Sequence, residues 1–218
     1  RLTSDVYDAY AYKLGLGQRT GVEVSEALGH LTTKNDSNYT ESLDIQAAIG
    51  QGNTAVTPIQ LATYAATLAN RGTRYRATFL NRVASSDYRT LIKQTEPEVV
   101  SKMDISYDTY EMYMNGMRKV VTEIGGTANK YFGGREAAKP FPVAVCAKTG
   151  TAEHASGGSD HGAFICFAPM ENPEIAVAVY GEKAAHGSWL APVAEQILLS
   201  YYEMDAASEV TAFENQAG

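Results

Sequence analysis

The sequence predicts a mixed α/β domain in which an antiparallel sheet is flanked by helices. Three observations carry that expectation. Residues 57–72 write out both ends of a helix, and residues 106–126 set apolar side chains at helical spacing between a cap and a glycine stop. Residues 143–180 then break into short apolar runs separated by turns. At 218 residues and 44% hydrophobic, the chain can bury about 70% of its extended surface, enough for a substantial core.

Taken in order, Ser4 to Leu14 places Val6, Tyr7, Tyr10, Ala11 and Leu14 at helical spacing, and Gly15 and Gly17 stop the helix. Val22-Glu23-Val24 reads as a short strand, and residues 32–41 as an exposed polar loop. Thr57 is placed to cap the next helix, with Pro58 at its first position and Gln60 completing a capping box. Ile59, Ala62, Ala66 and Ala69 form its apolar stripe, and Asn70-Arg71-Gly72 ends it. Thr78 to Ala84 and Arg89 to Ile92 flank Ser85-Ser86-Asp87 as a hairpin. Ser106 caps a second helix, with Tyr110, Met114, Met117 and Val121 on one face and Gly125-Gly126 behind it. The methionines read as core filler.

After Pro140 and Pro142 come the β runs Val143 to Thr149, Ala163 to Ala168 and Ile175 to Tyr180. A Gly/Ser loop at residues 156–159 and a turn at Glu171-Asn172-Pro173 separate them, which outlines an antiparallel meander. Ala191-Pro192 opens a closing helix to about Tyr202, and residues 203–218 read as a frayed acidic tail. No internal repeat or linker interrupts the chain, so residues 1–218 read as part of one domain.

Composition removes several function classes. Net charge is −7, and no Lys or Arg follows Lys183, so the clustered cations that neutralise phosphates are lacking and nucleic acid is not an expected partner. No apolar run approaches the ~20 residues of a membrane span. His30, His154, His161 and His186 show no ligand spacing, so no metal site and no cofactor are expected. Cys146 and Cys166 have apolar flanks and read as small buried hydrophobes.

The informative segment is Cys146-Ala147-Lys148-Thr149-Gly150-Thr151-Ala152-Glu153. A Lys-Thr-Gly triplet arises by chance in about one chain in thirty or forty of this length. Its setting sharpens it, because it ends an apolar strand and precedes a flexible loop. A strand edge offers backbone N–H and C=O groups to an extended peptide. Lys148 adds a cation, Thr149 and Thr151 add hydroxyl donors, and Gly150 admits close approach to the backbone. Such a strand suits a peptide ending in a carboxylate.

This segment resembles the third active-site motif of the penicillin-binding proteins and serine β-lactamases. Other stretches resemble the class B penicillin-binding proteins, the D,D-transpeptidases of cell-wall synthesis. They are Gly15-Leu16-Gly17-Gln18-Arg19-Thr20-Gly21, Ile49-Gly50-Gln51-Gly52 leading to Thr57-Pro58-Ile59-Gln60-Leu61-Ala62, and Ala69-Asn70-Arg71-Gly72. Gly116-Met117-Arg118-Lys119-Val120-Val121, Gly126-Thr127-Ala128, Phe167-Ala168-Pro169 and Asn172-Pro173-Glu174-Ile175-Ala176-Val177 follow in the family's order. The resemblance spans about residues 10–202.

The resemblance implies an incomplete penicillin-binding transpeptidase fold. The family's serine lies in Ser-x-x-Lys and a second motif is Ser-x-Asn, yet no serine here has Lys three residues on or Asn two residues on. Tyr113-Met114-Asn115 mimics the Tyr-x-Asn variant but falls within a helix, in the wrong place. The chain therefore looks like the C-terminal part of a transpeptidase domain, inactive alone, with its nucleophile and a membrane anchor expected upstream. In that reading Lys148, Thr149 and Gly150 are catalytic, Thr149 and Thr151 bind the substrate carboxylate, and the Thr151 N–H serves the oxyanion hole. The implied partners are a peptidoglycan stem peptide ending in D-Ala-D-Ala, β-lactam antibiotics, the N-terminal half of the domain and other cell-wall synthesis proteins. The implied location is the extracytoplasmic face of the bacterial cell membrane. The alternatives are a non-catalytic β-lactam sensor or cell-wall scaffold of the same fold, and a serine β-lactamase. Glu153 reads as a solvated strand-end charge, and Trp189 as a packing anchor ahead of the last helix.

Overall fold

The computed structural model describes residues 4–132, 141–153 and 158–204. The chain divides into two compact units, residues 1–112 and 113–218.

In the first unit, α1 (Ser4–Lys13) ends at Gly15 and Gly17, both in the left-handed region. The following segment is irregular, and Val22–Val24 is not a strand. Side-chain bonds hold it instead: the Glu23 carboxylate accepts from the Thr78 hydroxyl and, at 2.9 Å, from the Phe79 N–H. The stretch is a loop over residues 32–40, but Thr32 is buried, its hydroxyl 2.9 Å from that of Thr54. An additional helix, α2 (Glu41–Ala48), follows and buries Leu43 and Ala47 one turn apart.

α3 (Pro58–Ala69) begins as its sequence dictates. Thr57 Oγ1 accepts from the Gln60 N–H at 3.3 Å, and Gln60 Oε1 accepts from the Thr57 N–H at 3.0 Å. Its most buried positions are Gln60, Ala65, Thr67 and Ala69, whereas Ile59, Ala62 and Ala66 are half-buried. The expected stripe is thus rotated, because Gln60 enters the interior once its amide is satisfied. Two small antiparallel sheets complete the unit. β1 (Thr73–Tyr75) pairs with β4 (Val99–Lys102), and β2 (Arg82–Ala84) forms the expected hairpin with β3 (Leu91–Gln94).

α4 (Tyr107–Thr122) runs through the boundary between the units and receives its cap from Ser106, whose Oγ accepts from the Thr109 N–H at 3.2 Å. Met114, Met117 and Val121 are buried, as core filler should be. After the one-turn helix α5 (Asn129–Phe132), the second unit is built on a sheet of order β5–β6–β7, with β5 (Cys146–Ala152), β6 (His161–Ala168) and β7 (Ile175–Gly181) all antiparallel. The meander is as expected, but β5 starts and ends three residues later than its apolar run. Residues 143–145 supply the hydrophobic signal, while the strand itself continues through the polar Lys148-Thr149-Gly150-Thr151.

The register fixes the core. Ala147, Cys166 and Val177 lie abreast on one face of the sheet. α6 (Ala191–Tyr201) covers that face with Ala191, Ala194 and Leu198, spaced for one side of a helix. Phe132 stacks on Phe164 with ring centroids 6.0 Å apart. Pro140, His154, residues 156–157 and residues 205–218 lie outside the described residues.

Candidate active site

β5 is an edge strand: among the described residues β6 is its only neighbour. In an antiparallel ladder the N–H and C=O of alternate residues point away from the partner strand, so this edge offers hydrogen-bonding groups to an added segment. The pleat sends Lys148 and Gly150 to one face, and Thr149 and Thr151 to the face shared with Ala147.

The predicted residues meet here with distinct partners. Lys148 is exposed, and its Nζ donates to the Thr149 carbonyl at 2.6 Å. Thr149 Oγ1 lies 3.0 Å from Thr127 Oγ1. Thr151 Oγ1 accepts from the Gly187 N–H at 3.2 Å. Gly150 is exposed, and a Cβ there would meet only Ala163, at ordinary contact distances of 3.5 Å from its Cβ and 3.9 Å from its carbonyl oxygen. The strand itself does not need glycine at 150; the missing side chain leaves the outer backbone bare.

Gly187 is different. A Cβ at this residue would lie 2.1 Å from the Gly150 carbonyl oxygen and 2.5 Å from that of Ala163. It opens a 3-10 turn (Gly187–Leu190) that packs against the β5–β6 ladder. In such a turn residues three apart share a side, so Gly187 and Leu190 face inward and the residues between them do not. Trp189 is accordingly 60% exposed, its indole edge-on to His186 at 5.3 Å, and it is not the expected packing anchor. Thr127 and Gly187 are the site residues that sequence reasoning passed over. The only written signals were the small-residue triplet Gly126-Thr127-Ala128 and a glycine ahead of Ser188-Trp189-Leu190.

The strand is anchored at its apolar end. Arg118 Nη1 donates to the Val145 carbonyl at 3.0 Å, and Cys146 Sγ to the Met114 carbonyl at 3.6 Å. Burial pushes both thiols up to about 12, against the Arg118 charge at Cys146 and with the neighbouring Cys146 at Cys166. They face opposite sides of the sheet, since Cys166 sits opposite Ala147 and Cys146 opposite Phe167. Both are inert core thiols. Glu153 is exposed beyond the strand, and His161 stacks on Tyr180 while its Nδ1 accepts from the Lys183 N–H at 3.2 Å. Among the described residues no group of three His, Cys, Asp or Glu side chains converges to hold a metal.

Lys148, Gly150 and Thr151 form an exposed rim along the strand. A cleft of about 480 Å³ lined by Glu23, Arg76, Phe79 and Lys93, among others, lies in the first unit, as does one of about 420 Å³ beside Asp8, Tyr12 and His30. Neither includes a β5 residue. An exposed ammonium and two threonine hydroxyls thus stand along a strand edge, groups whose chemistry suits an extended peptide with an anionic group.

The family described as penicillin binding protein transpeptidase domain matches residues 1–199. Penicillin-binding protein 2A of Bacillus subtilis is 32% identical over 189 residues, which cover 80% of this chain and 25% of that protein. The peptidoglycan D,D-transpeptidase MrdA of Escherichia coli is 29% identical over 207 residues, covering 85% of this chain and 31% of that protein. Among solved structures, PBP2 of Pseudomonas aeruginosa in complex with WCK 5153 is 28% identical with a TM-score of 0.75, covering 92% of this chain and 44% of that one. Penicillin-binding protein 2B of Streptococcus pneumoniae strain R6 is 25% identical with a TM-score of 0.76, covering 93% and 33%. The chain spans about a quarter to a third of the length of these curated relatives. On the family match, the relatives and the shared fold, this chain belongs to the penicillin-binding protein transpeptidase domain family.

Proposed function

We propose that the complete protein containing this chain is a serine D,D-transpeptidase that cross-links peptidoglycan stem peptides. The observation that carries the reading is β5, an edge strand presenting Lys148-Thr149-Gly150-Thr151 within a chain of this family. A serine upstream of residue 1 attacks the penultimate D-Ala carbonyl, and the terminal D-Ala leaves with a proton on its amine. The amine of a second stem peptide then attacks the ester, and its proton returns to the serine as the cross-link forms. The stem peptide, or a β-lactam in its place, lies along β5. Thr149 and Thr151 hydrogen-bond its carboxylate, and Lys148 holds positive potential over the reacting groups. The outward N–H of Thr151 completes an oxyanion hole with the serine's own N–H. Gly150 keeps the rim clear. Because the lipid-linked substrate lies outside the cytoplasmic membrane, we place the protein there, held by an upstream anchor and acting with other cell-wall synthesis proteins. No helix among the described residues is long and apolar enough to cross a membrane.

The test is covalent trapping. Intact-mass spectrometry of the full-length protein incubated with benzylpenicillin is expected to show one acyl adduct on a serine outside this chain. The 218 residues alone are expected to show none. Lys148→Ala in the full-length protein is expected to slow acylation by about two to three orders of magnitude, the scale of losing one preorganised electrostatic group. Unchanged acylation would remove β5 from the site. An adduct that hydrolyses within seconds would instead favour a β-lactamase.

A further inference from the structure

A second element aims a hydroxyl at the β5 edge. α4 ends at Thr122, and the chain beyond it is tied back to the helix. The Gly126 N–H donates to the Glu123 carbonyl at 2.9 Å, the Ala128 N–H to the Val120 carbonyl at 3.0 Å, and Asn129 Nδ2 to the Val121 carbonyl at 2.9 Å. Ala128 and Asn129 are buried, and a Cβ on Gly126 would stand 2.5 Å from the Val120 oxygen. Thr127 sits between these fixed points, exposed, with its Oγ1 3.0 Å from that of Thr149. Its position is thus set by the end of α4, independently of β5.

Each hydroxyl has one proton to give and can accept from others, so the pair has a single directional choice. When Thr149 donates to Thr127, its proton is spent inside the pair. When Thr127 donates to Thr149, the Thr149 proton is free for a ligand. Donation into an oxygen also polarises its O–H and strengthens the bond it gives. An anion beside Thr149 favours the second arrangement.

We propose that Thr127 is a positioning residue for carboxylate recognition, its hydroxyl turning that of Thr149 outward toward the carboxylate of the substrate or β-lactam. The inference rests on the reading of β5 as the carboxylate-binding edge. Its test compares acylation of the full-length protein by benzylpenicillin and by benzylpenicillin methyl ester, which lacks the anionic acceptor. Thr127→Val keeps the side chain's shape and removes the hydroxyl. It is expected to slow acylation by the acid about tenfold, the size of one hydrogen bond lost from a transition state, and to leave the ester rate unchanged. Thr127→Ser is expected to restore the acid rate. Equal losses for acid and ester, no loss at all, or no recovery in Thr127→Ser would overturn the proposal. Should Thr127→Val not fold, Thr127→Ala supplies the same acid-to-ester comparison. The underlying reading fails separately: a wild-type protein that acylates equally fast with acid and ester would show that β5 does not read the carboxylate.

Discussion

Gln60 has no exposed surface, and each polar atom of its amide is engaged. Its Oε1 accepts from the Thr57 N–H at 3.0 Å, while its Nε2 donates to the Gln18 carbonyl at 2.6 Å and the Leu28 carbonyl at 2.8 Å. One side chain therefore caps α3 and clamps two turns of the preceding loop. Gln60→Leu would leave one backbone donor and two backbone acceptors unpaired in a buried place. Each orphaned group costs about 1–3 kcal/mol when water cannot replace its partner. With three such groups we expect a loss of about 3 kcal/mol or more, read as a lower denaturant midpoint with little change in slope. A loss below about 1 kcal/mol would show that water reaches these carbonyls. The capping box was legible because Thr57 and Gln60 are three residues apart. The other two bonds were not, since Gln18 and Leu28 lie 42 and 32 residues from Gln60, and local pattern carries no record of such contacts.

At the scale of elements, what was readable depended on where the apolar residues fell. α3, α4, α6, the hairpin and the meander each carry a cap, a stripe or a turn within a few residues. β1 and β4 do not: their register slips between Arg74 and Tyr75, and Arg74 is buried by donating from Nε to Ser101 Oγ at 3.1 Å. A buried arginine in a three-residue strand looks like surface in the sequence. β5 was displaced for the opposite reason, because its second half is polar. The 3-10 turn packs against it, with Gly187 close to the Gly150 and Ala163 carbonyls. Gly187→Ala would drive a methyl group into two backbone carbonyls that belong to the β5–β6 ladder. Overpacking of this kind costs about 1–3 kcal/mol and shifts backbone. We expect Gly187→Ala both to lower stability by that amount and to slow acylation of the full-length protein, because Thr151 moves with the turn. The matched control is Gly116→Ala, in the middle of α4 with nothing within 4 Å of the added Cβ. That change is expected to stabilise by about 0.4–1 kcal/mol and leave acylation unaltered. If Gly187→Ala acylates at the wild-type rate, the turn does not position the strand.

Across the whole molecule, the division into two units was not legible, because the boundary falls inside α4 and its amphipathic pattern runs through without a break. The units differ in how they hold their acids. In the first, a hydrogen bond from Thr78, reinforced by the Phe79 N–H, pulls Glu23 down to about 2, and bonds from Asn53, His30 and Thr33 pull Asp36 down to about 2. Burial works against ionisation at Glu26, but bonds from Thr20 and Gly21 outweigh it and hold that carboxyl below its usual range. Asp87 is lowered by Ser85 and the Arg89 N–H. Two carboxyls run the other way: burial, with Asp5, Asp44 and Asp36 nearby, raises Asp8 in the first unit, and burial raises Glu195 in the second. A lowered carboxyl stabilises the fold above its unfolded value, about 4, and that contribution drains as pH falls toward 2. A raised one does the reverse, favouring the folded state once it is protonated. Four lowered groups against one raised group in the first unit, and the raised Glu195 in the second, set the direction. Acid should loosen the first unit while the β5–β7 sheet holds. Hydrogen exchange at pH 6 and pH 3, corrected for intrinsic rates, is expected to show lost protection at Thr20, Gly21 and Phe79 and retained protection through Phe164 to Ala168. Simultaneous loss across both units, or earlier opening of the sheet, would mean that these side-chain bonds do not govern the acid limb.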